Sequence, residues 1–243
     1  MKELRKQIEL LLSKSNKDKK VVESIKNEIS VYPFTTESRI LVYLVATKAI
    51  TYEQFDKLHD EYTERNKYLE LYDLAPRTFG ETWGEQHILK LFPDFIKATK
   101  TNLASVFPNF DGEFDLWLDG IRVEVKACRA NNTAKKENFA SRAYLHSEAN
   151  NNCFKYHYQQ LKPSCCDVFI WIGVCRDELL YWVLSSEELE NSGKLVSQHR
   201  DKNTGIKKTE VFEGQVFMTE EELQPYLVNE KDVLDVVKQK GRQ

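Results

Sequence analysis

Apolar residues at helical spacing dominate the first third of the chain. Leu4, Ile8, Leu11 and Leu12 form one such set and Val21, Val22, Ile25 and Ile29 the next, so residues 1–75 are predicted to be helical, interrupted at Pro33. The run Ile40–Ala46 reads as a buried helix. Thr51-Tyr52-Glu53-Gln54 has the form of a capping box and predicts a helix reaching about residue 70. Beyond Gly80, Trp83, His87, Ile88 and Leu91 share one helical face, closed by Pro93. The apolar period then shortens to two. Strands are predicted near 94–100, on both sides of Asp119-Gly120, over 167–174 and 179–184, and near 211–218, before a C-terminal helix. Residues 154–161 read as a further helix. This order predicts an α/β fold, a mixed central β-sheet flanked by helices. An N-terminal helical region over 1–78 would support it, and a second region, 79–243, would hold the sheet.

The stretch 111–128 organises the rest. Asp119-Gly120 between runs rich in aromatic and branched residues is a strong hairpin signal. Counting outward from the turn sets Leu118 against Ile121, Trp117 against Arg122, Leu116 against Val123 and Asp115 against Glu124. Alternation then gathers Phe114, Leu116, Leu118, Ile121, Val123, Val125 and Ala127 on an apolar face, with Asp115, Glu124 and Lys126 on the other. Two carboxylates opposed across an antiparallel pair repel each other. A divalent cation held by oxygen ligands would neutralise them. The bland alternative is a solvated strand face with alternating charge; the opposed aspartate, the apolar reverse face and the basic segment that follows argue against it.

Composition narrows the classes. Of 243 residues, 41% are hydrophobic and 12% aromatic, which supports a real core rather than disorder. A net charge of −3 excludes a uniformly basic nucleic-acid coat but leaves room for a local basic cleft. Charge is segregated: residues 51–73 and the C-terminal part are acidic, whereas 129–162 and 197–208 are basic. Five cysteines without Cys-x-x-Cys spacing indicate neither a disulfide framework nor a zinc site, and point to reduced thiols in the cytoplasm. No signal-peptide core and no membrane-length apolar run is present, so no membrane partner is expected.

The order Glu85 in a helix, then Asp115, then Glu124-Val125-Lys126 on the next strand, then the basic segment Arg129–Arg142, resembles the PD-(D/E)XK nuclease superfamily, in particular type II restriction endonucleases. Phe114 stands where the superfamily name has proline. The run Arg65-Asn66-Lys67-Tyr68 and Pro76-Arg77-Thr78-Phe79-Gly80 leading to Trp83-Gly84-Glu85 is similar to a group that cuts interrupted GG…CC palindromes (GGNNCC-like). The resemblance implies a Mg²⁺-dependent, sequence-specific hydrolase of double-stranded DNA acting as a homodimer. Asp115, Glu124 and the Val125 carbonyl would hold the metal. Lys126 would orient or deprotonate the attacking water, and Glu85 would be an outer-shell or second-metal carboxylate.

The basic segments fit the same reading. Arg129, Asn131, Asn132, Lys135, Lys136, Asn138 and Arg142 mix phosphate-binding cations with amides able to address base edges; Gln198, His199, Arg200, Lys202 and Asn203 form a second such cluster. Arg129, Arg142 and Arg200 are the expected base readers. Three alternatives use the same residues: a structure-specific repair or recombination nuclease of the same superfamily, a non-catalytic DNA-binding protein, and a hydrolase with Asp115 and Glu124 as an acid/base pair. A lysine beside both carboxylates disfavours the last, because it holds the would-be acid ionised.

Overall fold

A computed structural model describes residues 33–198 and 212–241, together with Gln7, Leu10, Leu11 and Ser13. The predicted N-terminal helices before Pro33 otherwise lie outside the described residues, as do His199, Arg200, Lys202 and Asn203. The architecture is α/β. A six-stranded mixed sheet is flanked by helices and carries an N-terminal helical region.

Helices α1 (Pro33–Ala46) and α2 (Tyr52–Glu64) form that region. The capping box at α2 is present: the Gln54 amide N–H donates to Thr51 Oγ1 at 3.1 Å, and the Thr51 N–H donates to Gln54 Oε1 at 2.9 Å. The helix stops at Glu64 rather than near 70. Leu69, Leu71 and Tyr72, in a 3₁₀ turn, already pack into the core of the sheet, while Ile40, Leu41, Leu44, Ile50 and Tyr62 form a separate cluster. The change of packing partner thus precedes position 78. Buried Arg176 clamps the junction, donating to the Arg65 carbonyl at 3.1 Å and to Asn66 Oδ1 at 2.5 Å.

A π-helical segment, Thr78–Trp83, leads into α3 (Gly84–Leu91). Phe79, Trp83 and His87 stack in sequence, His87 stacks on Tyr181, and His87 Nε2 lies 2.6 Å from the Tyr181 hydroxyl. That ladder seats the predicted apolar face of α3 on the sheet.

The sheet order is β1 (Ile96–Lys97), β2 (Leu116–Leu118), β3 (Ile121–Arg129), β5 (Val168–Val174), β6 (Leu179–Ser185) and β9 (Leu227–Val228). Only β3 and β5 are parallel, with Val125 beside Ile170. The hairpin register is the predicted one, Leu116–Val123 through Leu118–Ile121. Strand β5 is buried along its whole length, and alternation divides it between two cores. Val168, Ile170 and Ile172 face α3 and the C-terminal helix α8 (Val233–Lys240), whereas Phe169 and Trp171 face a second sheet.

The crossover from β3 to β5 carries short helices α4 (Phe139–Arg142) and α5 (His146–Asn151) and then strand β4 (Lys155–Leu161). β4 lies in a second sheet, ordered β4, β8 (Gly214–Thr219), β7 (Val196–Ser197). The short helices α6 (Ser186–Asn191) and α7 (Glu220–Leu223) close its flank, contributing Leu189 and Leu223 to the second core.

The helix predicted over 154–161 is therefore a strand. Tyr156, Tyr158 and Leu161 are buried while Lys155, His157 and Gln159 point outward, a period of two that aromatic-rich strands favour. Phe114 also departs from expectation. It packs with Phe107 and Phe110 in the second core, because β2 begins only at Leu116 and the alternation does not extend back to position 114.

Candidate active site

The site forms where the β2–β3 ladder stops. Antiparallel pairing ends at Leu116–Val123, so Asp115 does not sit in the ladder opposite Glu124. Instead the Asp115 N–H donates to the Val123 carbonyl at 3.0 Å, and its carboxylate crosses over to accept the Val125 N–H at 2.9 Å. The N–H and C=O of a strand residue point the same way, so the Val125 carbonyl faces the edge from which Asp115 approaches. Two carboxylates and one carbonyl thus border the open edge of β3.

Glu124 and Lys126 project together toward the second sheet, as their spacing predicts. Lys126 Nζ lies 2.5 Å from Glu124 Oε1. Glu124 is only 9% exposed. Burial pushes its carboxyl up to about 7; Lys126 opposes the rise and Asp115 adds to it. Burial would lower Lys126, but Glu124 and Asp115 outweigh it and hold the ammonium above its ordinary value. Lys126 is thus placed beside both carboxylates as a cation able to stabilise developing negative charge.

Glu85 opens α3. Gly84 packs so closely that a side chain there would touch Ala127 and Val125, which sets Glu85 over the same stretch of β3. Glu85 is 6% exposed and forms an ion pair with Lys97 of β1. Burial lowers the Lys97 ammonium, opposed by Asp115 and Glu124. Lys97 thus joins the site through Glu85, which its place in the sequence does not indicate. A strand was expected there, but nothing local marks one of its lysines as facing two carboxylates. A cavity of about 570 Å³ is lined by Glu85, Asp115, Val125, Lys126, His157 and Gln159 among others, while Glu124 and Lys97 reach it through their ion pairs with Lys126 and Glu85. The helix predicted over 154–161 does not bring His157, Gln159 and Gln160 to the site, whereas strand β4 does.

Among the described residues no three His, Cys, Asp or Glu side chains lie close enough to cage a metal ion by themselves. The donor set nevertheless suits Mg²⁺, which commonly takes one or two carboxylates and completes its shell with water and substrate phosphate. The Asp115 and Glu124 carboxylates, with the Val125 carbonyl, are hard oxygen donors of that kind.

The basic loop after β3 divides differently from expectation. Arg129 is 8% exposed. Its Nη1 donates to the carbonyls of Leu71, Tyr72 and Leu74 at 3.1, 3.2 and 2.9 Å, and the guanidinium lies over the Phe79 ring. It braces the core and is not placed to read bases. Arg142 donates to the Asn132 carbonyl and to Asn131 Oδ1, both at 2.9 Å. Asn132 Oδ1 accepts from Ala134, and Asn138 caps α4 by accepting from Ser141. These residues staple the loop, leaving Lys135 and Lys136 as its exposed cations. Gln198 Oε1 accepts the Gln160 N–H at 2.7 Å and supports the β4 backbone at the cavity.

The five cysteines are free thiols, and no helix among the described residues is long and apolar enough to cross a membrane. Comparison with protein-family models, with curated proteins and with solved structures yields no match.

Proposed function

We propose that the protein is a Mg²⁺-dependent endonuclease of double-stranded DNA, of the type II restriction class. The observation that carries this reading is Asp115 held by the Val125 N–H at the edge of β3, with Lys126 in the same open cleft and paired to buried Glu124. Asp115, Glu124 and the Val125 carbonyl would hold a divalent cation, which would supply charge neutralisation and lower the pKa of an attacking water. The protein's own groups supply placement. The Val125 N–H fixes Asp115, and burial under the second sheet fixes Glu124. The Lys126 ammonium stands ready to donate to a phosphate oxygen as negative charge develops there. The Glu85–Lys97 pair adds a second cation beside the two site carboxylates. Cutting both strands of a palindrome calls for two copies of the chain related by a two-fold axis, so a homodimer belongs to the proposal.

The test is incubation with phage and plasmid DNA in Mg²⁺, in Ca²⁺ and in chelator. Discrete fragments in Mg²⁺ alone, lost in Lys126→Ala, are expected. Full cleavage in chelator, or wild-type rates in Lys126→Ala, would sink the assignment. Cleavage restricted to junctions or flaps would move the protein to the repair and recombination nucleases.

A further inference from the structure

The wall of the cleft opposite β3 is made by a feature that the cleavage chemistry leaves unused. Strands β4 and β8 pair with Lys155 opposite Thr219, His157 opposite Phe217 and Gln159 opposite Gln215. Alternation buries Tyr156, Tyr158, Val216 and Met218 and turns the six paired residues outward. The His157 ring lies flat on Phe217, with centroids 3.9 Å apart, and its Nε2 is 2.9 Å from Gln215 Oε1. Phe217 is 47% exposed, and Lys155 and Gln159 are exposed as well. His157 and Gln159 line the cavity that contains Asp115 and Lys126. Lys155, His157 and Phe217 line an adjoining hollow of about 440 Å³ that shares Pro76, Gly80, Ala127 and His157 with the first. A β-bulge between Gln159 and Leu161, with Gln160 at φ +58°, bends the ribbon where it meets the catalytic groups.

We propose that the outward face of the β4–β8 ribbon is the sequence-reading element, entering the major groove while the scissile phosphate lies at Asp115 and Lys126. The proposal rests on the nuclease reading. A two-stranded ribbon fits the major groove, and glutamine carries both a donor and an acceptor for base edges. Gln159 and Gln215 sit side by side on a rigid sheet that continues the cleft. Gln215 Oε1 is held by His157, which fixes the amide and leaves its NH₂ as the group offered to a base edge, and the Oδ1 atoms of Asn131, Asn132 and Asn138 in the loop after β3 bond within that loop. Lys155 at the ribbon's end and exposed Lys135 and Lys136 give the phosphate backbone its countercharge.

The experiment uses the full chain and a plasmid library carrying a randomised duplex stretch, cut in Mg²⁺, with the cut ends sequenced. Wild type should give one consensus. Gln159→Ala and Gln215→Ala should keep the Mg²⁺ requirement and the thermal midpoint, but lose on the order of tenfold or more discrimination at particular base pairs. Lys155→Ala should weaken binding to all duplexes alike. An unchanged consensus in both glutamine variants, with the wild type still cutting, overturns the ribbon's role and leaves the nuclease standing. Cleavage confined to single-stranded DNA and lost in Phe217→Ala would make the ribbon a base-stacking platform and overturn the major-groove reading. No cleavage of any DNA by the wild type removes both proposals.

Discussion

Glu124 shows how one position can be costly for the fold and useful for chemistry. A carboxylate nine-tenths buried beside a second carboxylate holds its proton up to about pH 7. A cation must displace that proton to bind. The Mg²⁺-induced rise in thermal midpoint should therefore be clearly larger near pH 8 than near pH 6, where Glu124 is mostly protonated. Equal shifts at both would separate Glu124 from the metal. Asp115→Asn keeps an acceptor for the Val125 N–H and removes the repulsion, so its stability in chelator should equal or exceed wild type. The Mg²⁺ shift and cleavage should both disappear. Arg129 makes the opposite case. Arg129→Ala strands two buried carbonyls and a third that is half-buried, and empties the space over Phe79, so a loss of about 3 kcal/mol in denaturant unfolding is expected. A base reader would instead leave stability intact and change the cut consensus.

The hairpin and the loop that follows it have different physical characters. β2 and β3 are held by register, and the site exists because β2 ends one residue early, freeing Asp115 to bond across to Val125. The loop over 131–142 is held by its own side chains: Arg142, Asn131, Asn132 and Asn138 bond within it. Its exposed lysines are then the part left to meet phosphate. Neutralising Lys135 or Lys136 should weaken binding to every duplex and flatten the salt dependence by roughly one counterion each. Measured binding slopes against salt concentration decide this, and a loss confined to the cognate site would show instead that the loop reads sequence.

Across the whole molecule, His146 ties the two sheets together. It sits at the start of α5, with Nδ1 2.8 Å from Glu178 in the β5–β6 turn and Nε2 2.8 Å from Glu220 at the start of α7, next to β8. Burial would lower its pKa, but hydrogen bonds and charge from Glu220 and Glu178 raise it above the ordinary histidine value. A raised folded pKa means that the stabilisation is complete below the unfolded value of about 6.5 and fades as pH climbs through the folded one. His146→Gln should consequently destabilise more at about pH 6 than at about pH 8.5, read from thermal midpoints. A pH-independent difference would mean that the ion pairs do not couple the sheets.

What was legible in the sequence was whatever is set by neighbours along the chain. The capping box at Thr51, the Asp119-Gly120 hairpin with its register, the buried strands β5 and β6, and the shared face of Glu124 and Lys126 all follow from turn chemistry and short-range periodicity. A mixed sheet with helices around it follows from their order. Tertiary structure decided the rest, because it depends on contacts distant in sequence. Tyr156 and Tyr158 became strand positions only because β8, some sixty residues on, offers β4 an edge to pair with. Arg129 left the surface because the carbonyls of Leu71, Tyr72 and Leu74 close over it from the helical side. Lys97 joined the site because β1 lies beside β2 and α3 lies over β3, an arrangement that no local pattern encodes. Burial by layers far apart in the chain is also what lifts Glu124 toward neutrality, since desolvation is a property of the assembled core rather than of a Glu-x-Lys spacing.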